Sequence, residues 1–327
     1  MRSNSHVACV ILLLANCFRA AFASPPPPAV SDQQASPPST VLSEQTRLVV
    51  VPVTVEDRLG HFLSGLKQDN FEVQEDGKRQ EIAMFRDTDV PVTVGLVVDH
   101  SGSMGARSDD VIQGATAFVQ ASNPKDQEFV VNLGNTISFG LPPDIPFTND
   151  IAQLRAALSV ASASGFTPLY DAMVVALQHF QAMPADKKVL LLISDGGDDA
   201  STHKFSDVLR MAQAANVAIY GIGLLDSTST GQNPGVLRKF ARETGGDVYF
   251  PNSTAGVVSV CIAIAAEIRH QYTLAYAPPD KDKSGYRKIR VEVRAPGRGR
   301  LSVRAKTGYL YSAGPSAGAS DTIPQGR

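Results

Sequence analysis

Two carboxylates and three hydroxyls carry the chemistry that this chain could do. Asp99-His100-Ser101-Gly102-Ser103-Met104 places Asp99, Ser101 and Ser103 at alternate positions of one short stretch. Further on, Gly165-Phe166-Thr167-Pro168 presents Thr167 where a helical pattern opens, and Ser194-Asp195-Gly196-Gly197 presents Asp195. All five side chains offer oxygen. Oxygen ligands are what a hard divalent cation wants. Each residue also has a plainer reading: Ser101 and Ser103 as turn or cap residues, Thr167 as an N-cap ahead of Pro168, Asp195-Gly196 as a simple turn. The joint placement of all five argues against that plainer reading.

The elements around these residues explain why they would meet. Val92 to Val98 is an apolar run without polar alternation, the pattern of a buried parallel strand, and Asp99 follows it directly. Val189 to Ile193 is a second such run, leading into Ser194-Asp195. Both acids therefore stand at strand carboxyl ends, where open α/β sheets bind ligands. Strand and helix patterns alternate through the middle of the chain. Helices are predicted over 109–121 with Ser108 as N-cap, and over 150–161, 168–183, 205–215, 236–244 and 256–269. Strands are predicted over 128–133, 136–139, 217–225 and 248–250. That alternation predicts an α/β fold with a mostly parallel sheet covered by helices on both faces.

The Asp-x-Ser-x-Ser stretch, the distant Thr and the more distant Asp resemble the von Willebrand factor type A family and its metal-ion-dependent adhesion site. The resemblance covers about residues 90 to 270, and all five family positions are filled, by Asp99, Ser101, Ser103, Thr167 and Asp195. It implies a Rossmann-like doubly wound sheet and a bound divalent cation, Mg2+ first with Mn2+ or Ca2+ able to substitute, since the residue types choose only weakly among these. Three hydroxyls and two carboxylates cannot enclose such an ion, so a coordination position stays open, and the resemblance implies that an Asp or Glu carboxylate of a partner protein fills it. The C-terminal block Gln271 to Tyr309, with Phe71-Glu72-Val73 and Glu75-Asp76-Gly77, resembles a secreted bacterial subgroup of these proteins found often in acidobacteria.

The flanks read as β. Predicted strands cover 47–55, 71–74 and 80–85, the last two around an Asp76-Gly77 hairpin. The C-terminal flank adds strands over 272–276, 286–293 and 300–305. Neither flank is large enough to bury a core alone, so the two are expected to pack as one small β-sandwich-like domain. The expected organisation is a signal peptide (1–23), a Pro-rich linker (24–45), an N-terminal β segment (46–90), the type A domain (91–271), a C-terminal β segment (272–311) and a disordered tail (312–327).

Composition sets outer limits. The chain has 327 residues, 43% hydrophobic and 19% charged, with a formal net charge of -2. That balance implies no general attraction to nucleic acid or to acidic membranes. Arg2, the apolar stretch Val7 to Phe18 and Ala21-Phe22-Ala23 read as a secretory leader cleaved after Ala23, too short for a comfortable membrane span. A retained anchor, or lipidation at Cys17, is the alternative. The expected location is secreted or in the cell envelope. Of three cysteines, only Cys261 lies outside the leader, in an apolar stretch, as a small buried hydrophobe.

Neighbouring polar residues receive modest roles. Asp109-Asp110 reads as a solvated helix start, Asp198-Asp199 as facing water, His100 as an exposed loop residue and His203 as too isolated for a second metal site. No Gly-x-Ser-x-Gly elbow between strand and helix, no His-Glu-x-x-His and no phosphate loop is present, so a protein-binding module leads. A metal-stabilised scaffold comes second, and a metal-dependent hydrolase last.

Overall fold

The computed structural model describes residues 48–312 except 135, 160–164, 184, 186, 227–229 and 281–282, and leaves aside the side chains of 103, 105 and 106. The expected leader, the linker and all but the first residue of the tail lie outside the described residues. In chain order the elements are β1 (Val49–Glu56), β2 (Phe71–Glu75), β3 (Lys78–Gln80), β4 (Met84–Arg86), β5 (Thr93–Asp99), α1 (Ser108–Ala121), β6 (Gln127–Leu133), β7 (Ile137–Phe139), α2 (Ile151–Leu158) and α3 (Leu169–His179). There follow β8 (Lys188–Ser194), α4 (Phe205–Ala215), β9 (Val217–Gly223), α5 (Pro234–Thr244), β10 (Val248–Tyr249), α6 (Thr254–His270), β11 (Tyr272–Tyr276), β12 (Gly285–Val293), β13 (Ser302–Arg304) and β14 (Gly308–Tyr311).

The central sheet has the order β10-β9-β8-β5-β6-β7. Every pairing is parallel except β6 with β7. All seven residues of β5 are buried, as the unbroken apolar run predicts for a strand covered on both faces. Helix α1 packs against α2 and α6, while α3, α4 and α5 pack in series. Gly114 leaves room for α6 against α1: a Cβ there would sit 2.5 Å from Val257 Cγ1. Cys261 is buried in the same interface, and burial pushes its thiol up to about 12.

The flanking strands form two four-stranded sheets, β13-β1-β11-β4 and β14-β12-β2-β3. Each interleaves the two flanks, since β1 pairs antiparallel with β11 and β2 with β12. Their facing residues share a second core, with Val51 and Val53 of β1, Phe71 and Val73 of β2, and Tyr272, Leu274 and Tyr276 of β11. Pro52 is accommodated because residues 49–53 of β1 pair on one side only.

Several local expectations need correction. The Asp76-Gly77 hairpin joins β2 to β3, but its second arm stops at Gln80, and Met84–Arg86 crosses to pair with β11 in the other sheet. Strand β14 was not expected; it covers the far edge of β12. Ser108 is the first residue of α1 and not its cap. A 3-10 turn over Gly102–Arg107 precedes it, and Arg107 Nε donates to Asp110 Oδ2 at 2.6 Å. Helix α3 starts at Leu169, with Pro168 at the cap position and no side-chain cap.

The last helix joins the sandwich to the central sheet through a buried polar cluster. Glu267 of α6 is fully buried; Oε1 accepts from Thr54 Oγ1 at 2.9 Å and from Tyr220 OH at 2.8 Å, and lies 2.6 Å from Arg304 Nη2. Gln271 Nε2 donates to both Thr54 and Tyr220. One carboxylate thus ties α6 and β9 to β1 and β13.

Candidate functional site

The winding of the central sheet reverses beside β5. The chain passes from β5 through α1 to β6 on one side, and later returns to β8 on the other. In doubly wound sheets the crevice above the carboxyl ends at such a reversal binds ligands, because the flanking loops diverge there. Asp99 is the last residue of β5, and Asp195 follows the last residue of β8, the adjacent strand.

Hydrogen bonds hold the two acids in their loops. Asp99 is fully buried; its Oδ1 accepts from Ser101 N at 2.9 Å and its Oδ2 from Ser194 Oγ at 2.6 Å. Ser194 Oγ in turn accepts from Gly196 N at 3.0 Å. Asp195 is 4% exposed, its Oδ1 accepts from Gly197 N at 2.9 Å, and its carbonyl accepts from Asn233 N at 3.1 Å. Gly196 is required in this loop: its φ is +82°, and a Cβ would lie 2.4 Å from Asn233 O.

Thr167 reaches the same region by a latch. Its N–H donates to Asp199 Oδ1 at 2.7 Å, and Asp199 N donates back to Thr167 O at 3.1 Å. Tyr170 N donates to Asp198 Oδ1 at 3.2 Å, and Ser201 Oγ donates to the same oxygen. The loop after β8 therefore carries the start of α3 with it. Asp199 is exposed, as expected, and Asp198 is half-buried; beyond facing water, both carboxylates brace the segment that opens α3. Ser101 is buried. The backbone of Ser103 lies in the 3-10 turn, and its side chain lies outside the described residues.

His100 is not an exposed loop residue. It is 2% exposed, its N–H donates to Leu133 O at 2.6 Å, and its Nε2 lies 3.1 Å from Asn132 Oδ1. The hydrogen bond to Leu133 carries the pairing of β5 with β6 one residue beyond Asp99 and turns the ring inward, where burial lowers its pKa. An Asn in the apolar run of β6 was the available signal, because a buried amide needs a polar partner. Asp110 is likewise not merely solvated: it accepts from Arg107 and from Thr254 Oγ1, tying the start of α1 to the start of α6. His203 pairs with Asp171 at 2.7 Å on the surface. Among the described residues no cluster of three or more His, Cys, Asp or Glu could hold a metal.

The electrostatics of the crevice suit a cation. Burial raises the pKa of Asp99, hydrogen bonds from Ser101 and Ser194 oppose the rise, and the negative charge of Asp195 adds to it. None of these influences on Asp99 comes from a Lys or Arg. Two acids near each other, one of them hydrogen-bonded by Ser101 and Ser194, are oxygen donors compatible with a divalent ion.

Residues 94–197 match the family profile of the von Willebrand factor type A domain. No curated protein matches the sequence significantly. Among solved structures, a von Willebrand factor type A protein from Catenulispora acidiphila is 12% identical, covering 82% of this chain and 74% of that one with a TM-score of 0.50. The vWF domain of the type V pili tip protein Mfa5 from Porphyromonas gingivalis is 15% identical over 55% of this chain and 97% of that one, with a TM-score of 0.45. The manganese-loaded TRAP protein of Plasmodium vivax is 13% identical over 72% and 97% of the two chains, with a TM-score of 0.42. The profile match and the doubly wound sheet around β5 and β8 together identify the centre of this chain as a von Willebrand factor type A domain.

Proposed function

We propose that the type A domain captures a partner protein through a divalent cation held by Asp99, Ser101, Ser103, Thr167 and Asp195. The observation that carries this reading is the meeting of two buried acids at the reversal point of the sheet. Domains of this family typically bind protein partners, and a cation with an incomplete shell supplies a positive point for a partner's Asp or Glu carboxylate.

The protein's own groups prepare that point. Ser101, Ser103 and Thr167 contribute neutral oxygens, which leave the cation's charge largely unspent. Asp99 and Asp195 contribute the negative charge, directly or through water. Ser194 and the Ser101 amide orient the Asp99 carboxylate, and Asp199 holds the backbone of Thr167 to the loop that follows β8. Mg2+ is the first choice of ion, with Mn2+ or Ca2+ able to substitute.

In the same reading the chain is a secreted or envelope-associated binding protein rather than an enzyme. Residues 1–23 act as its signal peptide and 24–45 as a spacer, with the type A domain at 91–271 inserted between β segments 46–90 and 272–311. Among the described residues no helix is long and apolar enough to cross a membrane. Affinity capture from an envelope extract, run with Mg2+ and again with EDTA, tests the proposal. A protein retained only with Mg2+, and lost with Asp99→Asn, is expected. A scaffold role predicts instead that EDTA lowers stability while no partner is retained under either condition.

A further inference from the structure

Two loops at one end of the flanking sandwich concentrate positive charge that the type A site does not use. Strand β1 pairs antiparallel with β13, with Glu56 opposite Ser302. The chain leaving β1 over 57–61 and the chain entering β13 over 294–301 therefore emerge side by side from the same end of the sheet. Together they hold four arginines, Arg58, Arg294, Arg298 and Arg300, and one acid, Asp57. Asp57 spends its carboxylate within its own loop: Oδ1 accepts from Leu59 N at 2.8 Å and from His61 N at 2.9 Å, and Oδ2 lies 3.2 Å from His61 Nδ1. Arg294 pairs with Glu292 at 3.5 Å. Arg58, Arg298 and Arg300 are exposed and make no ion pair among the described residues. The chain's overall charge of -2 hides this local excess.

Both loops are held in shape by their own backbone. Asp57 N donates to His61 O at 2.9 Å, Leu63 N donates to Val55 O at 2.8 Å, and the Phe62 ring stacks on His270 of α6 at 5.2 Å. In the second loop Arg298 N donates to Ala295 O at 3.1 Å around Pro296-Gly297, and Gly297 has φ +82°, the geometry of a type II turn. Leu59 stands at the turn of the first loop. It is 80% exposed, more than any other large apolar side chain among the described residues. A single exposed leucine is ordinary on a protein surface. Arginines without acids beside an apolar tip are a different matter, because one environment satisfies both. Anionic headgroups pair with the guanidiniums, and the boundary of the acyl chains takes the leucine. A dissolved polyanion rewards the arginines alone and leaves Leu59 in water.

We propose that these two loops dock the protein on an anionic lipid surface, with Arg58, Arg298 and Arg300 on the headgroups and Leu59 entering the boundary of the acyl chains. Arg304 of β13 pairs with Asp247, the residue before β10, so β13 lies at the amino ends of the parallel strands. A surface held by the loops beside it leaves the crevice at the carboxyl ends on the other side of the central sheet. The docking does not depend on that crevice holding a cation. Next to a negatively charged leaflet each arginine strengthens association about fivefold, so three give about a hundredfold, and salt screens the effect. A further factor of about ten from the leucine brings half-binding near 1 mM accessible lipid.

The chain contains no tryptophan, so Leu59→Trp in the full chain puts a fluorescent reporter at the tip alone. The probe is a vesicle of phosphatidylcholine with about 40% phosphatidylglycerol. A blue shift and quenching by brominated acyl chains are expected, saturating near 1 mM accessible lipid, with little response to pure phosphatidylcholine or in about 0.5 M NaCl. Arg58→Gln, Arg298→Gln and Arg300→Gln, combined in the reporter chain, should weaken the response about a hundredfold while the melting temperature stays unchanged, since these side chains make no ion pair. Phe139→Trp places the reporter on the edge strand of the central sheet and should show neither shift nor quenching, which separates docking by the loops from attachment through the leader. Absence of a response at position 59, an equal response to neutral vesicles, an unchanged response in the triple Gln chain, or equal quenching at position 139 would overturn the proposal. A shift produced by heparin but not by vesicles would overturn it too, and would assign the arginines to a dissolved polyanion.

Discussion

Replacing Asp99 by Asn should have opposite consequences with and without a divalent cation. In EDTA, Asp99 of the wild-type protein is a buried acid whose ionised form is disfavoured by burial and by Asp195. Asn keeps an acceptor for the Ser101 N–H, and its amide nitrogen can donate to Ser194 Oγ in a reversed bond, so both contacts stay polar while the buried charge is removed. The metal-free variant should therefore match wild type within about 1 kcal/mol, or exceed it. Asp99→Ala strands the Ser101 N–H and the Ser194 hydroxyl and should cost about 2–4 kcal/mol. With Mg2+ the order reverses. Saturation to about 100 times Kd adds about 2.7 kcal/mol to the wild-type protein, and with roughly 2–4 °C per kcal/mol for a domain of this size the melting temperature rises by about 5–10 °C. Asp99→Asn halves the charge of the donor set and should lose most of that rise. Scanning calorimetry of wild type and both variants, each in EDTA and in Mg2+, reads all six states. A Mg2+-induced rise of equal size in Asp99→Asn, or no rise in wild type, would refute the reasoning.

Other expectations follow from the buried charges. Lys306 is 7% exposed, and burial pushes its ammonium down to about 7, whereas the unfolded chain keeps an ordinary lysine. The unfolded state then binds more protons between about pH 7 and 10.5, so this residue makes stability rise across that interval. Lys306→Met should stabilise by roughly 2 kcal/mol at pH 6, with a gain that shrinks toward pH 10 in a urea-denaturation series. Glu267→Ala removes the shared acceptor of Thr54, Tyr220 and Arg304 and should cost about 3–5 kcal/mol by the same assay, with Glu267→Gln losing less. Cys261, buried and with its thiol held near 12, should react with a disulfide reagent only on unfolding. A chain with Cys9 and Cys17 replaced by Ser allows the measurement, and rapid labelling of the native protein would contradict the packing of α1 on α6.

Much of this protein was legible without coordinates. Unbroken apolar runs such as Val92 to Val98 and Val189 to Ile193 can satisfy hydrophobic burial on two faces only inside a covered sheet. Their ends therefore placed Asp99 and Asp195 at the same rim before any contact was known. The Asp76-Gly77 turn and the αL stop at Gly245 were readable for a similar reason, since both are backbone geometries that few residues tolerate.

Partnerships over long sequence distances were decided only by the tertiary structure. The pairing of β1 with β11 joins residues more than two hundred positions apart, and nothing local in Val49–Glu56 names that partner. Met84–Arg86 leaves its hairpin because β11 offers an open edge, which no turn rule records. His100, Asp198 and Asp199 carry polar side chains that local patterning assigns to water. His100 turns inward to Asn132, while Asp198 and Asp199 stay at the surface but accept the Tyr170 and Thr167 N–H groups, which arrive from another element to meet them. Glu128 shows the same limit from the other side. Its residue type predicts solvent, its position in β6 buries it, and the lack of a partner for one oxygen is a property of the assembled fold alone. Sequence determines what each side chain can offer and which backbone shapes are open to it; only the fold determines which offers are met.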